Sequence, residues 1–284
     1  RVPEEAPGEA RVKPPRAPAA GITGAFTDLY DVFVDWPGRL GRELPGVERH
    51  VWSLAGAGGA RRGRDAGCGA GGHVRALAER GYEAHGADVS DDMLARARAV
   101  LGDGAKGRLH HWRLGDEPLR SLRAAAPFDA VIAMGNVWPQ VLETADVEHA
   151  LAGVRSLLRP GGLLLLGLKA VAVRAERGEP YMPLLRRVHA GRPLWFVRFV
   201  DFEVPARACD FHMVVVAGSA DSPEAERETL LHRATRMRVW DPAGLERALS
   251  DAGFERARVA GSLADPAVDP SGEDVFASAR SPRG

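Results

Sequence analysis

Cysteine is scarce in this 284-residue sequence: Cys68 and Cys209 are the two present, and they show no CxxC spacing. Two such residues make neither a disulfide framework nor a thiolate metal site, and a reducing compartment is the expectation. Net charge is also missing, with 38 basic side chains against 38 acidic ones. A nucleic-acid partner normally demands a basic surface, so none is expected. Long apolar runs are lacking too: none reaches the roughly 18–20 residues that span a bilayer. The first residues have no positive-then-apolar signal pattern. These gaps together predict a cytoplasmic protein with no membrane partner.

What is there is ordinary for a globular domain: 45% hydrophobic and 27% charged residues. The length suits one domain with an insertion better than two domains. Residues 1–21 hold five prolines and few large apolar side chains, which predicts a disordered tail ahead of a domain over 22–284. Two helical segments are expected over 22–56, the first running from Phe26 to Trp36 until Pro37 interrupts it. The second is marked by Leu44, Val47, Val51, Trp52 and Leu54.

From Asp65 the chain repeats strand–turn–helix units. Strands are expected at Tyr82–Val89, Leu109–Leu114, Phe128–Met134 and Leu163–Leu168. Ser90 and Asp241 read as helix N-caps, Asp241 with Pro242 behind it. The alternation predicts an α/β fold with a parallel sheet and right-handed crossovers. It breaks over about 169–240, where strand-like runs at Leu194–Glu203, Phe211–Val216 and Glu228–Trp240 have no helices between them. Antiparallel pairing follows, as an insertion or lid over the sheet's active edge. Arg256–Val259 and Asp274–Ala279 supply the last two strands.

Asp65-Ala66-Gly67-Cys68-Gly69-Ala70-Gly71-Gly72 is the most informative stretch. Glycines let a backbone approach a ligand, and a helix start with free N–H groups follows. Gly67, Gly69 and Gly72 also fit the dinucleotide GxGxxG pattern, and Asp88 follows Gly67 by 21 residues, where a ribose-binding carboxylate is expected in either case. Asp65 separates the two. A carboxylate there repels an anionic pyrophosphate, whereas S-adenosyl-L-methionine has no phosphate and carries an ammonium and a sulfonium.

Further segments carry a resemblance: Gly86-Ala87-Asp88-Val89-Ser90 with Met93, Gly115-Asp116 after a strand, and Leu158-Arg159-Pro160-Gly161-Gly162. With the glycine loop, in this order and spacing, the chain resembles the class I S-adenosylmethionine-dependent methyltransferases over about residues 24–280. The resemblance implies a Rossmann-like, mostly parallel seven-stranded sheet with helices on both faces. It implies that Asp88 takes the ribose hydroxyls, that Asp116 accepts from the adenine amino group, and that Gly67 and Gly69 approach the methionine portion. Cys68, Gly71, Val89, Met93, Gly115 and Met134 would stand around the same cofactor. One departure is Arg64, a charge where this family's first strand is apolar; either the strand is short and partly exposed, or Arg64 has a partner.

A narrower likeness lies in Met134-Gly135-Asn136-Val137-Trp138-Pro139 and in Tyr30, Trp36 and Arg39 upstream. These are similar to glycine and sarcosine N-methyltransferases and related small-molecule enzymes. The likeness implies that Arg39 pairs with the cofactor carboxylate, which a guanidinium fits. It implies contacts to cofactor or acceptor from Asn136, and acceptor contacts from Trp138, Lys169 and Tyr181. Ala170-Val171-Ala172 lack the polar and aromatic side chains of that group. Methyl transfer is an in-line displacement in which positioning and water exclusion matter most. If a base takes part, Tyr30, Tyr181 and His212 are the candidates, and Asn136 joins Tyr30 and His212 in the expected catalytic set. No metal is expected, because His110 and His111 are adjacent on a strand and point to opposite faces. The expected activity is methylation of a small molecule at an amine nitrogen. An O-methyltransferase, a nicotinamide-dependent oxidoreductase and a non-catalytic cofactor-binding protein are the rivals. Monomer and homo-oligomer both stay open.

Overall fold

The computed structural model describes residues 25–52, 62–203, 207–218, 228–265, 267–270 and 272–283. The proline-rich stretch 1–21 and Leu54 lie outside them. Helix α1 (Ala25–Phe33) and helix α2 (Trp36–Trp52) open the fold. The break falls at Val34 and Asp35, ahead of Pro37. A proline is tolerated in a helix's first turn, where its missing N–H has no helical acceptor anyway. Asp35 caps α2 by accepting from Gly38 N at 3.1 Å.

There follow β1 (Arg62–Ala66), α3 (Gly72–Ala78), β2 (Glu83–Asp88), α4 (Asp91–Leu101), β3 (Leu109–His111), α5 (Arg120–Ala125), β4 (Phe128–Ala133), α6 (Thr144–Leu157) and β5 (Leu158–Lys169). Ser90 caps α4 by accepting from Met93 N at 3.3 Å. β5 begins five residues before the expected Leu163, because the segment read as a turn pairs with β4 through an irregularity between Phe128 and Ala130. Next come α7 (Val171–Arg177), β6 (Leu185–His189), β7 (Arg192–Glu203), β8 (Ala208–Ala217) and β9 (Glu228–Arg238). The chain ends with α8 (Pro242–Asp251), β10 (Glu255–Ala260) and β11 (Asp274–Arg280). Asp241 caps α8 by accepting from Gly244 N at 2.7 Å.

Seven strands form one sheet in the order β10-β11-β5-β4-β1-β2-β3, parallel except at β11, which runs antiparallel to β5 and β10. Both faces are covered, so β5 reads as a continuous leucine run. Leu164 and Leu166 pack under α6 and α8 with Val131 and Leu151, while Leu163 and Leu165 pack with Leu44, Val74 and Leu77 on the other face. The chain order reverses around β1, and a crevice opens there, outside the carboxyl ends of the strands.

Arg64 takes neither course expected of it in full. It is 1% exposed, and its guanidinium carbon lies 4.2 Å from the centre of the Trp112 ring. None of its three nitrogens has a hydrogen-bond partner among the described residues. Burial lowers its pKa to about 10. The partner is thus an aromatic face rather than an acid.

The insertion forms a second, antiparallel sheet, β6-β7-β8-β9. β6 holds Arg186, Arg187 and His189, a charged run that hides its strand character. The sheet turns one face inward: Phe196, Met213 and Val215 are buried there against Phe26 and Leu29 of α1.

Candidate active site

A cavity of about 1000 Å³ lies between the carboxyl edge of the large sheet and the inner face of the small one, with α1 and α2 as its side wall. The glycine loop is its floor. Gly67 and Gly69 have φ of 78° and 52°, a region that L side chains rarely adopt. Protein side chains press on the loop: Val137 against Gly67, the Tyr30 hydroxyl beside Gly69, and the Trp36 ring over Gly72 at the start of α3. At the end of β2, Asp88 accepts from Gly69 N at 2.8 Å and from Ser90 N at 2.9 Å, through different carboxylate oxygens, and the Val89 N–H also holds it. A carboxylate has about four acceptor sites, so capacity is left for a ligand. Burial raises the Asp88 pKa, against the pull of those N–H groups.

Behind the loop stands a linked set of charges. Arg39 Nε donates to Glu43 at 3.1 Å, and His73 Nε2 hydrogen-bonds the other Glu43 oxygen at 2.6 Å. His73 Nδ1 lies 3.7 Å from Asp65. Burial pushes Glu43 up, but the His73 hydrogen bond and the Arg39 charge outweigh it and hold its carboxyl low. Asp65 is 2% exposed, its Oδ1 has no hydrogen-bond partner among the described residues, and burial raises its pKa to about 6. It therefore does not point into solvent; it lies off the cavity wall, and its charge acts on the cavity-lining Tyr30 and Arg39.

The structure sorts the expected residues into two groups. Tyr30, Arg39, Gly67, Gly69, Asp88 and Val89 line the cavity, as do Met134, Asn136 and Lys169. Asn136 has φ 65°, and its Oδ1 accepts from Lys169 N at 2.7 Å, so its NH2 is the group a ligand can use. Lys169 Nζ pairs with Asp274 at 2.6 Å. Tyr30 is a proton-bearing phenol, since burial raises its pKa to about 12.

The others stand off the wall for identifiable reasons. Trp36 covers α3 from behind and meets His73 edge-on. Cys68 is buried against Gly86, and Gly71 against Ala97. Met93 is fully buried in α4. Gly115 and Asp116 sit outside, with Trp112, Arg113 and Leu114 forming the wall in their place. Trp138 is fully buried, its ring centre 6.2 Å from that of Trp240. Tyr181 is 70% exposed. His212 alternates with the cavity-lining Phe211 and Met213, so it faces outward, stacked on Phe199 at 4.5 Å. Sequence reading missed Glu43, whose spacing of four from Arg39 on a helix was the available signal. It also missed Arg187 and Arg198 on the inner face of the small sheet.

A seven-stranded sheet in this order, with a glycine loop after β1 and an acid ending β2, is the class I, Rossmann-like methyltransferase fold. Residues 64–162 match the family described as a methyltransferase domain. It is 34% identical over 166 residues to a glycine/sarcosine N-methyltransferase of Parasynechococcus marenigrum, covering 55% of this chain and 56% of that protein. A glycine/sarcosine N-methyltransferase of Halorhodospira halochloris is 32% identical over 143 residues, half of each chain. The chain thus spans about half the length of the curated relatives it matches. Among solved structures, a sugar N-methyltransferase from Streptoalloteichus superposes with a TM-score of 0.66 at 18% identity, over 98% of this chain and 99% of that one. An S-adenosylmethionine-dependent methyltransferase from Clostridium acetobutylicum gives 0.69 at 13%, over 90% and 98%. No described helix is long and apolar enough to cross a membrane.

Proposed function

We propose that the chain binds S-adenosylmethionine on the glycine loop and methylates a small molecule at an amine nitrogen. The observation that carries the cofactor reading is Asp88 at the end of β2, bonded to the glycine loop and lining the same cavity as Arg39. A dinucleotide pyrophosphate seated on that loop would face the negative charge of the nearby buried Asp65. The residues present fit the phosphate-free cofactor instead. Asp88 keeps lone pairs for a vicinal diol, Arg39 offers a guanidinium to a carboxylate, and Val89, Leu114, Met134 and Val141 give apolar walls for a heterocycle. The cofactor, when bound, supplies an electrophilic methyl group.

Nitrogen is favoured over oxygen by what lines the cavity. Its described lining holds no histidine, and Tyr30 keeps its proton. Its five carboxylates are engaged: Asp35 caps α2, Asp88 holds backbone N–H groups, and Glu43 holds Arg39 and His73. Asp274 pairs with Lys169, and Glu273 lies 3.7 Å from Arg174. A hydroxyl acceptor needs a base, whereas an amine desolvated beside a sulfonium sheds its proton readily. Asn136 and the backbone around Gly135 then orient the nitrogen, and the small sheet excludes water. The names of the relatives, N-methyltransferases of glycine, sarcosine and sugars, agree with this choice.

A thermal-shift comparison tests the cofactor: S-adenosylhomocysteine raises the melting temperature and NAD does not. Mass spectrometry of a panel of amines and matched alcohols then tests the acceptor atom. Stabilisation by NAD alone sinks the first part of the proposal, and methylated alcohols with untouched amines sink the second.

A further inference from the structure

The wall opposite the glycine loop carries positive charge that methyl transfer itself does not use. Arg198 on β7 is in phase with Leu194, Phe196 and Val200, the buried inward positions of its strand, and it lines the cavity. Met213 is its cross-strand neighbour, and Phe33 of α1 lies 5.7 Å from its guanidinium carbon. Nη2 donates to the Pro183 carbonyl at 2.8 Å, while the buried Nε has no hydrogen-bond partner among the described residues. Arg187 on β6 also lines the cavity. Burial lowers the Arg198 pKa; nearby Glu273 raises it, and Arg174 and Arg187 lower it. Glu273 itself is 3.7 Å from Arg174. Around Arg198 there are thus two further guanidinium groups and one carboxylate, an imbalance that a low-dielectric wall tolerates poorly unless an anion completes it.

At the adjoining Asn136 end of the cavity Lys169 is already neutralised by Asp274 at 2.6 Å. The wall is continuous between the two places: Asn136 accepts from Lys169 N, and Ala170 N donates to the Glu273 carbonyl at 3.0 Å. Apolar side chains, Met182, Leu185, Phe211 and Met213, line the cavity beside the arginines.

We infer that the methyl acceptor is an amine bearing a carboxylate or phosphate on an apolar body, and that Arg198 and Arg187 hold this acid. A guanidinium fork suits either oxyanion. The inference rests on the methyltransferase reading above, and its test separates the two.

Benzylamine, 4-(aminomethyl)benzoate and 4-(aminomethyl)phenyl phosphate are titrated calorimetrically into the protein, alone and saturated with S-adenosylhomocysteine. At least one acid-bearing amine is expected to bind about ten-fold more tightly than benzylamine, the scale of one charge-assisted contact. Which acid wins tells carboxylate from phosphate. The advantage is expected to disappear in Arg198→Met and to shrink in Arg187→Gln, with S-adenosylhomocysteine affinity unchanged in both. If Arg198→Met fails to fold by circular dichroism, Arg187→Gln decides. Acid-bearing amines that bind no better than benzylamine, or not at all, overturn the inference, as does a preference that survives the substitutions. Failure to bind S-adenosylhomocysteine counts against the parent reading alone, because the titrations without it still report on the arginines.

Discussion

On the floor of the cavity Arg39 meets Glu43, Glu43 meets His73, and His73 approaches Asp65, so each charge has an opposite or a proton-sharing neighbour. On the roof Arg198 has two like charges, Arg174 and Arg187, and a single carboxylate, Glu273, around it. The floor links its charges to one another before any ligand arrives, which suits a molecule bearing charges of both signs. The roof is unbalanced, which suits an anion. One cavity thus handles buried charge in two ways, and under the proposed function the difference divides it into a cofactor end and an acceptor end.

The largest effect that would test this contrast is electrostatic, at Asp65. Burial raises its pKa from the ordinary 3.8 to about 6, so the folded chain holds that proton more tightly than the unfolded chain. The associated stability is full below pH 4 and is lost as the pH rises through 6. Urea unfolding of wild type and Asp65→Asn should therefore diverge by about 3 kcal/mol in favour of asparagine between pH 4 and 7. A flat difference would mean that the floor does not bury this charge. Next in size, Asp88→Ala removes the acceptor for Gly69 N and for a diol, and should weaken S-adenosylhomocysteine binding roughly 10–100-fold by calorimetry. An unchanged affinity would detach the floor from the cofactor. The smallest effect sharpens the comparison from below the sheet. Arg64, buried on Trp112 with no acid on it, shows what an unmatched guanidinium costs where no cavity lies in front. Arg64→Met should raise the unfolding free energy by about 1–2 kcal/mol in urea titrations, with S-adenosylhomocysteine affinity unaltered. Destabilisation would assign the Trp112 stack a larger role.

The floor was legible because its chemistry is contiguous. Asp65 to Gly72 is one loop, and Asp88 ends the next strand, so spacing alone suggested a nucleotide crevice. The fold was legible for a similar reason: Ser90 and Asp241 cap helices where expected, and the leucines of β5 showed a strand covered on both faces. The roof was hidden because its residues converge by pairing. Arg198 reaches the cavity through strand phase, and Arg187 through the register of a strand too charged to be read as one. The same parity argument, applied to β8, turns His212 away from the cavity, and it needed only the cavity-facing positions Phe211 and Met213 to be known. Trp138 was misplaced by its neighbour: Val137 packs on Gly67, and the indole drops into the core behind it. Asp116 followed the family's pattern in sequence, yet the turn at Gly115 (φ 106°) carries it to an exposed position outside the wall.

Tyr30, Trp36 and Arg39 all come from chain that precedes β1, whereas the sheet they close against is built from chain that follows. One wall of the cavity is therefore supplied by a different length of polypeptide from the sheet and its glycine loop. A fragment beginning at β1 should retain the seven-stranded order while losing one side of its binding cleft, so that ligand retention, and not folding, becomes the measure of whether the amino-terminal helices have docked.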